Sequence, residues 1–214
     1  LPALSLLAPL VVLGVTSPAH AAESCQGQTA TIVGTPDGSA TGTEGDDVIV
    51  TAGAIEVFAY GGDDLVCVTG SPTDPFEYVS ISAGDGDDVV DSSAGEHRLR
   101  AELGKGVDTF SGGPGGEAVV TGGAGDGGES VSTGDGQDYV ETGTTGQPMD
   151  NVISTGAGKD EIHFYGLPGT GSIDAGTERD TVYLRDKTSA AWRIDNRRSR
   201  ISAKGTTMRF VSAE

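Results

Sequence analysis

The chain has 214 residues, enough for one domain with small appendages. Asp and Glu outnumber Lys and Arg by 32 to 13, giving a net charge of −19, and 35 residues are Gly. A balance this acidic disfavours nucleic acid as a partner, and it makes a compact state self-repelling unless cations are bound.

In chain order, the first stretch is apolar from Leu1 to about Val15 and leads into Ser17-Pro18-Ala19-His20-Ala21-Ala22. This pattern predicts an export signal over residues 1–21, cleaved after Ala21, and it is too short to span a membrane. The mature chain is therefore expected to be secreted or extracellular, free or associated with the cell surface, with no membrane span. It keeps two cysteines, Cys25 and Cys67, and an even count in an exported protein suggests a disulfide between them. Residues 22–40 read as an N-terminal cap segment.

From residue 41 to 184 a Gly/Asp turn followed by a short β-prone run recurs seven times. The turns end at Asp47, Asp64, Asp88, Asp108, Asp138, Asp160 and Asp180. Two residues after each Asp stand Ile49, Val66, Val90, Phe110, Val140, Ile162 and Val182. Seven residues before it stand Ala40, Val57, Ile81, Ala101, Val131, Ile153 and Ile173. Both columns are wholly apolar. The position between Asp and apolar residue is mixed (Val48, Leu65, Val89, Thr109, Tyr139, Glu161, Thr181), which is the alternation of a strand with one buried face. Each interval holds two β-prone runs split by a second, irregular turn, so one repeat is one coil of a solenoid. The Gly/Asp turns are expected on one edge and the insertions on the other. The longest interval carries a Gly-rich excursion, Gly112 to Gly128, with a degenerate turn at Gly122-Gly123-Ala124-Gly125-Asp126.

Coils stack at about 4.8 Å, which would set the Asp residues in a ladder. Two carboxylates about 5 Å apart repel by about 3 kcal/mol at an effective dielectric of 20. A cation between rungs would reverse that repulsion. Oxygen-only donors and Gly-rich turns favour Ca²⁺ over transition metals and over Mg²⁺. The competing reading is that Gly and Asp serve only as turn formers. Asp46, Asp63, Asp85, Asp87 and Asp135 are open to either a ligand role or simple solvent exposure.

These turns resemble the RTX (hemolysin-type) calcium-binding repeat, G-G-x-G-x-D-x-U-x with U a large apolar residue. The resemblance implies an all-β, right-handed parallel β-roll or β-solenoid of about seven coils. It also implies several Ca²⁺ ions held between turns. The ligands would be the carboxylates of Asp47, Asp64, Asp88, Asp108, Asp138, Asp160 and Asp180 with turn carbonyls at Gly45, Gly62, Gly86, Gly106, Gly136 and Gly158. One good turn per coil, instead of tandem nonapeptides, predicts a single calcium row. Glu178 stands where a Gly is expected, and Lys159 and Arg179 lie beside their Asp residues, which weakens the last sites.

From Arg185 to Arg209 eight basic residues face two acidic ones, and the Gly/Asp punctuation stops. Residues 185–214 are expected to form a small antiparallel β cap, with Trp192 plugging the open core. The sharper alternative is a basic patch for an anionic cell-envelope polymer or a second copy of the roll.

Candidate catalytic groups are His97, Arg98, Arg100, Glu102 and His163, and they form no recognisable catalytic constellation. The expected function is calcium binding coupled to folding, without catalysis. The alternatives are a calcium-dependent β-helix enzyme acting on polysaccharide and a surface adhesin or stalk.

Overall fold

The computed structural model describes residues 23–122, 128–185, 193–195, 200–204 and 206–211. The export signal, most of the degenerate turn at Gly122–Asp126 and Trp192 lie outside the described residues. Every regular element among the described residues is a β-strand, and none is a helix long and apolar enough to cross a membrane.

The chain coils through two sheets. One has eight strands, from Ser39–Thr41 to Thr181–Leu184, and all of its pairs are parallel. The other has eleven, beginning at Ile32–Val33, and is parallel until its last strands. The solenoid thus starts before residue 41, since Ile32–Val33 and Ser39–Thr41 already pair with the following coil. The core lies between the sheets because alternate residues of each strand point inward. In the eight-stranded sheet the inward column is Ala40, Val57, Ile81, Ala101, Val119, Val140, Ile162 and Val182. In the eleven-stranded sheet it is Ile32, Ile49, Val66, Val90, Phe110, Val131, Ile153, Ile173 and Phe210.

Those two lists overturn one expectation. The sequence places every Gly/Asp turn on one edge. In the structure the two apolar columns exchange sheets after Phe110: the residues two after each Asp line one sheet up to Phe110 and the other from Val140 onward. The 30-residue interval between Asp108 and Asp138 is one and a half coils, not one coil with an insertion. Its extra half-coil is the strand Glu117–Val120, which pairs with Leu99–Lys105 on one side and Tyr139–Thr142 on the other. The turns ending at Asp47, Asp64, Asp88 and Asp108 therefore form one edge, and those ending at Asp138, Asp160 and Asp180 form the opposite edge. There are two Asp rows.

The ends are closed differently. At the N-terminus a hairpin, Ser24–Cys25 with Gln28–Thr29, lies over the outer face of the eleven-stranded sheet. Cys25 packs there with Val50, Leu65 and Cys67. The Cys25–Cys67 disulfide is formed, with Cα atoms 5.5 Å apart. This cover explains why the strand Leu65–Cys67 is buried on both faces. At the C-terminus, Thr206–Val211 adds in parallel to Ser172–Asp174, and Arg200–Ala203 and Arg193–Asp195 then pair antiparallel. Phe210 and Ile201 enter the core there. The small antiparallel sheet is present as expected, and it closes the solenoid by extending one sheet.

Candidate metal-binding corners

Each corner of the coil brings a chain reversal onto the reversal of the coil before. Gly62, Gly86, Gly106, Gly136 and Gly158 all have positive φ, between 105° and 145°. A Cβ at Gly86, Gly106 or Gly158 would fall on the carbonyl of the glycine one coil earlier, Gly62, Gly86 or Gly136 respectively, and at Gly136 it would fall on that of Gly115. Glycine is needed twice over, for the backbone angle and for the stack. Gly45 differs from the other five: its φ is not positive and a Cβ there would touch only the Thr43 hydroxyl, at 4.0 Å. Glu178 occupies the next position after Gly136 and Gly158 and is forced to a φ of 86°, a costly conformation for a residue with a side chain.

The aligned Asp residues point into the corner, not out of it. Asp47, Asp64, Asp88, Asp108, Asp138 and Asp160 are all buried. They form hydrogen-bonded ladders. On the first edge the Asp47 N–H donates to Asp64 Oδ1 (2.8 Å), the Asp64 N–H to Asp88 Oδ1 (2.9 Å) and the Asp88 N–H to Asp108 Oδ1 (2.9 Å). On the opposite edge the Glu117 N–H donates to Asp138 Oδ1, the Asp138 N–H to Asp160 Oδ1 and the Asp160 N–H to Asp180 Oδ1, at 3.0–3.1 Å.

One oxygen of each carboxylate is thus accounted for by the next coil. The other is often not. Oδ2 of Asp64, Asp88, Asp160 and Asp180, and Oε2 of Glu117, are buried and accept no hydrogen bond from the described residues. A buried carboxylate oxygen without a partner is costly. Burial accordingly pushes Asp64 up to about 6, the Asp47 N–H opposing and nearby carboxylates adding to it. Asp88 is pushed up to about 7 in the same way. Burial, then the facing Asp138 carboxyl, push Glu117 up to about 8. Burial also raises Asp160 and Asp180.

Two rungs have further donors. Asp47 accepts hydroxyl bonds from Thr31 and Thr43 and the Thr43 N–H. Burial opposes its ionisation, but these donors hold it below the usual carboxylate range. Asp138 accepts the Thr133 hydroxyl, and burial still outweighs that donor and keeps its carboxyl raised.

The residues that sequence reasoning missed are Glu117, Glu129 and Asn151. Glu117 aligns with Asp138 as the first rung of the second row. Glu129 and then Asn151 continue the first row above Asp108, and all three are buried. A signal was available: each stands two residues before an inward apolar residue (Val119, Val131, Ile153), the same spacing as the Asp turns.

The outer carboxylates left open by the sequence have three fates. Asp46, Asp63 and Asp87 are exposed yet make a second ladder running the other way, accepting the N–H of Asp63, Asp87 and Val107 from the following coil. Asp85 pairs with Lys105 at the surface (2.6 Å). Asp135 is exposed.

Among the described residues, no group of three or more His, Cys, Asp or Glu side chains surrounds one point. An ion in a corner would therefore draw on successive carboxylates along a row and complete its shell with main-chain carbonyls or water. The donor set fits a hard cation: buried anionic oxygens without donors, repeated at one-coil intervals.

The catalytic candidates do not converge. Arg98, Arg100 and Glu102 share the outer face of the eight-stranded sheet, as their alternation predicts, and Arg100 and Glu102 form an exposed ion pair (2.7 Å). His163 is on the same face but three strands from Glu102, with Val120 and Glu141 between. His97 precedes the strand Leu99–Lys105. No family model, curated protein or solved structure matches the chain.

Proposed function

We propose that this chain is an exported calcium-binding β-solenoid of the RTX type that takes Ca²⁺ into two rows of corners on opposite edges and completes its folding there, without catalysis. The observation carrying the reading is the set of buried carboxylate oxygens at Asp64, Asp88, Asp160, Asp180 and Glu117 that accept no hydrogen bond among the described residues. A divalent cation would satisfy them, lower the repulsion along each row and return free energy to the fold. The half-coil shift gives two Asp rows where a single one was expected, with one Gly/Asp turn per coil as before. The Cys25–Cys67 bond accords with an oxidising, extracellular compartment. Extracellular calcium modules bind at dissociation constants of about 10⁻⁴–10⁻³ M, a range in which export precedes folding.

The test is titration of the chain from Ala22 onward with Ca²⁺ and with Mg²⁺, followed by far-ultraviolet circular dichroism. The expected outcome is a cooperative gain of β signal with Ca²⁺ alone. Asp88→Asn is the discriminating variant. Its amide oxygen can still accept the Asp64 N–H, so a pure turn role would leave the calcium response unchanged. A ligand role would abolish part of it. A chain fully β in chelator and indifferent to calcium would leave the Asp rows as turn chemistry only.

A further inference from the structure

The outer face of the eight-stranded sheet holds a trough that adjoins the second row of corners. Its floor is the strand Glu117–Val120, whose outward residues Ala118 and Val120 are small. In register on one side stand Arg100 and Glu102, and on the other Tyr139 and Glu141. Adjacent strands lie about 4.8 Å apart, so these two ridges stand about 10 Å apart, a width that admits one extended chain of sugar rings. A recess of about 870 Å³ reaches Ala118 at one end of the floor and is walled by Tyr78 and Arg98. A second, of about 620 Å³, reaches Val120 at the other end and is walled by Lys105 and Tyr165. Together they run the length of the floor strand.

The wall at Tyr139 is braced from behind. The Tyr139 hydroxyl donates to Glu141 Oε2 (2.9 Å) and stands 3.3 Å from His163 Nδ1, with the two rings 4.9 Å apart. His163 pairs through its other nitrogen with Glu161 and is covered by the edge of Tyr183 at 4.8 Å. Arg185 lies over the Tyr183 ring at 4.9 Å. His163 is only 8% exposed although it projects from the outer face. The core is on the other side of the sheet, so this network does not serve the core. It fixes one aromatic ring at the lip of a trough, which is how a binding platform is preorganised.

The chemistry of the walls selects the occupant. The floor strand is paired on both sides, so it offers no free edge to an added peptide strand. Around the recesses four basic residues, Arg98, Arg100, Lys105 and Lys159, face five acidic ones, Glu96, Glu102, Glu117, Glu141 and Glu178. In a molecule of net charge −19 this patch, with no excess of positive charge, has no field to attract a polyanion. Flat tyrosine rings, a guanidinium and carboxylates suit a ligand with apolar ring faces and many hydroxyl groups. We propose that the trough over Glu117–Val120 binds an extended, uncharged polysaccharide, with Tyr139 as its stacking platform. One end of the trough shares Glu117, Gly136, Gly158 and Glu178 with the second row of corners, so an ion there borders the site.

Native gels cast with soluble β-glucan, xylan, galactomannan or α-glucan, run in millimolar calcium, test this directly, with a polyuronate gel alongside. At least one neutral polymer should retard the wild-type chain, and Tyr139→Ala should weaken that retardation by about tenfold. Tyr139→Leu, which keeps bulk but not the aromatic face, should do the same and covers the case in which the alanine variant fails to fold. Phe58→Ala, on the same face but away from the trough, should run as wild type. The proposal is overturned if no neutral polymer retards the wild type, if a folded Tyr139 variant is retarded as strongly, or if only the polyuronate acts and salt abolishes its effect.

Discussion

At the scale of the residue, the buried carboxylates link protons to calcium. The folded values of Asp64, Asp88 and Glu117 lie near 6, 7 and 8, above the roughly 4 of an unfolded carboxyl. A group raised in this way binds its proton more tightly in the folded state. Its full stability is present below the unfolded value and is lost as pH rises through the folded one. Each such group contributes a slope of at most about 1.4 kcal/mol per pH unit within that window. The calcium-free protein is therefore expected to have a higher urea midpoint at pH 5 than at pH 8. Calcium competes with the same protons, so the calcium-induced rise in Tm should be larger at pH 8 than near pH 5.5. Scans in chelator and in calcium at both pH values measure this. A chelated midpoint that climbs from pH 5 to pH 8 would contradict the buried, donor-free environment. At Glu178 the backbone is strained at φ 86°, and Glu178→Gly should stabilise the last coil by about 1 kcal/mol in urea denaturation.

At the scale of the element, the stacked reversals should tolerate substitution very unequally. Gly158→Ala would set a Cβ on the Gly136 carbonyl at a positive φ, and should destabilise by about 2–4 kcal/mol. Gly45→Ala, with no close contact and no positive φ, should change stability by less than about 0.5 kcal/mol. Equilibrium urea unfolding of the two variants separates them, although the sequence gives both glycines the same place in the turn. That contrast marks how far the sequence is legible. The coil, its two inward columns and the inward-pointing Asp follow from spacing alone, because a strand's period of two fixes which face each residue takes. The change of edge does not follow, because a 30-residue interval can hold a long insertion or an extra half-coil. What decides it is pairing: Val119 joins the column of Ala101 and Val140, and Glu117 supplies a rung where no Gly/Asp turn announces one. Covered faces are illegible for a related reason. Val50 and Cys67 are buried by the N-terminal hairpin, a contact that no local period encodes.

At the scale of the molecule, the half-coil divides one continuous core between two differently anchored regions. A solenoid coil touches mainly its neighbours, so stability is close to a sum of local terms and the ends need not unfold together. The coils of the first row are tied by the Cys25–Cys67 link across 42 residues, worth about 4 kcal/mol in the chain-entropy model. The coils of the second row have no such link among the described residues, hold the strained Glu178, and carry raised carboxyls at Glu117, Asp138, Asp160 and Asp180. In chelator at neutral pH, amide hydrogen exchange should therefore reach the strands Tyr139–Thr142 and Glu161–Phe164 before Glu56–Gly61 and Leu65–Cys67. Reducing the disulfide should bring the first region down toward the second, and calcium should raise both. If exchange in chelator is uniform along the chain, the two rows act as one cooperative unit and the disulfide's effect is spread over the whole solenoid. If the first region opens earlier, charge repulsion along Asp46, Asp63 and Asp87 outweighs the covalent tie.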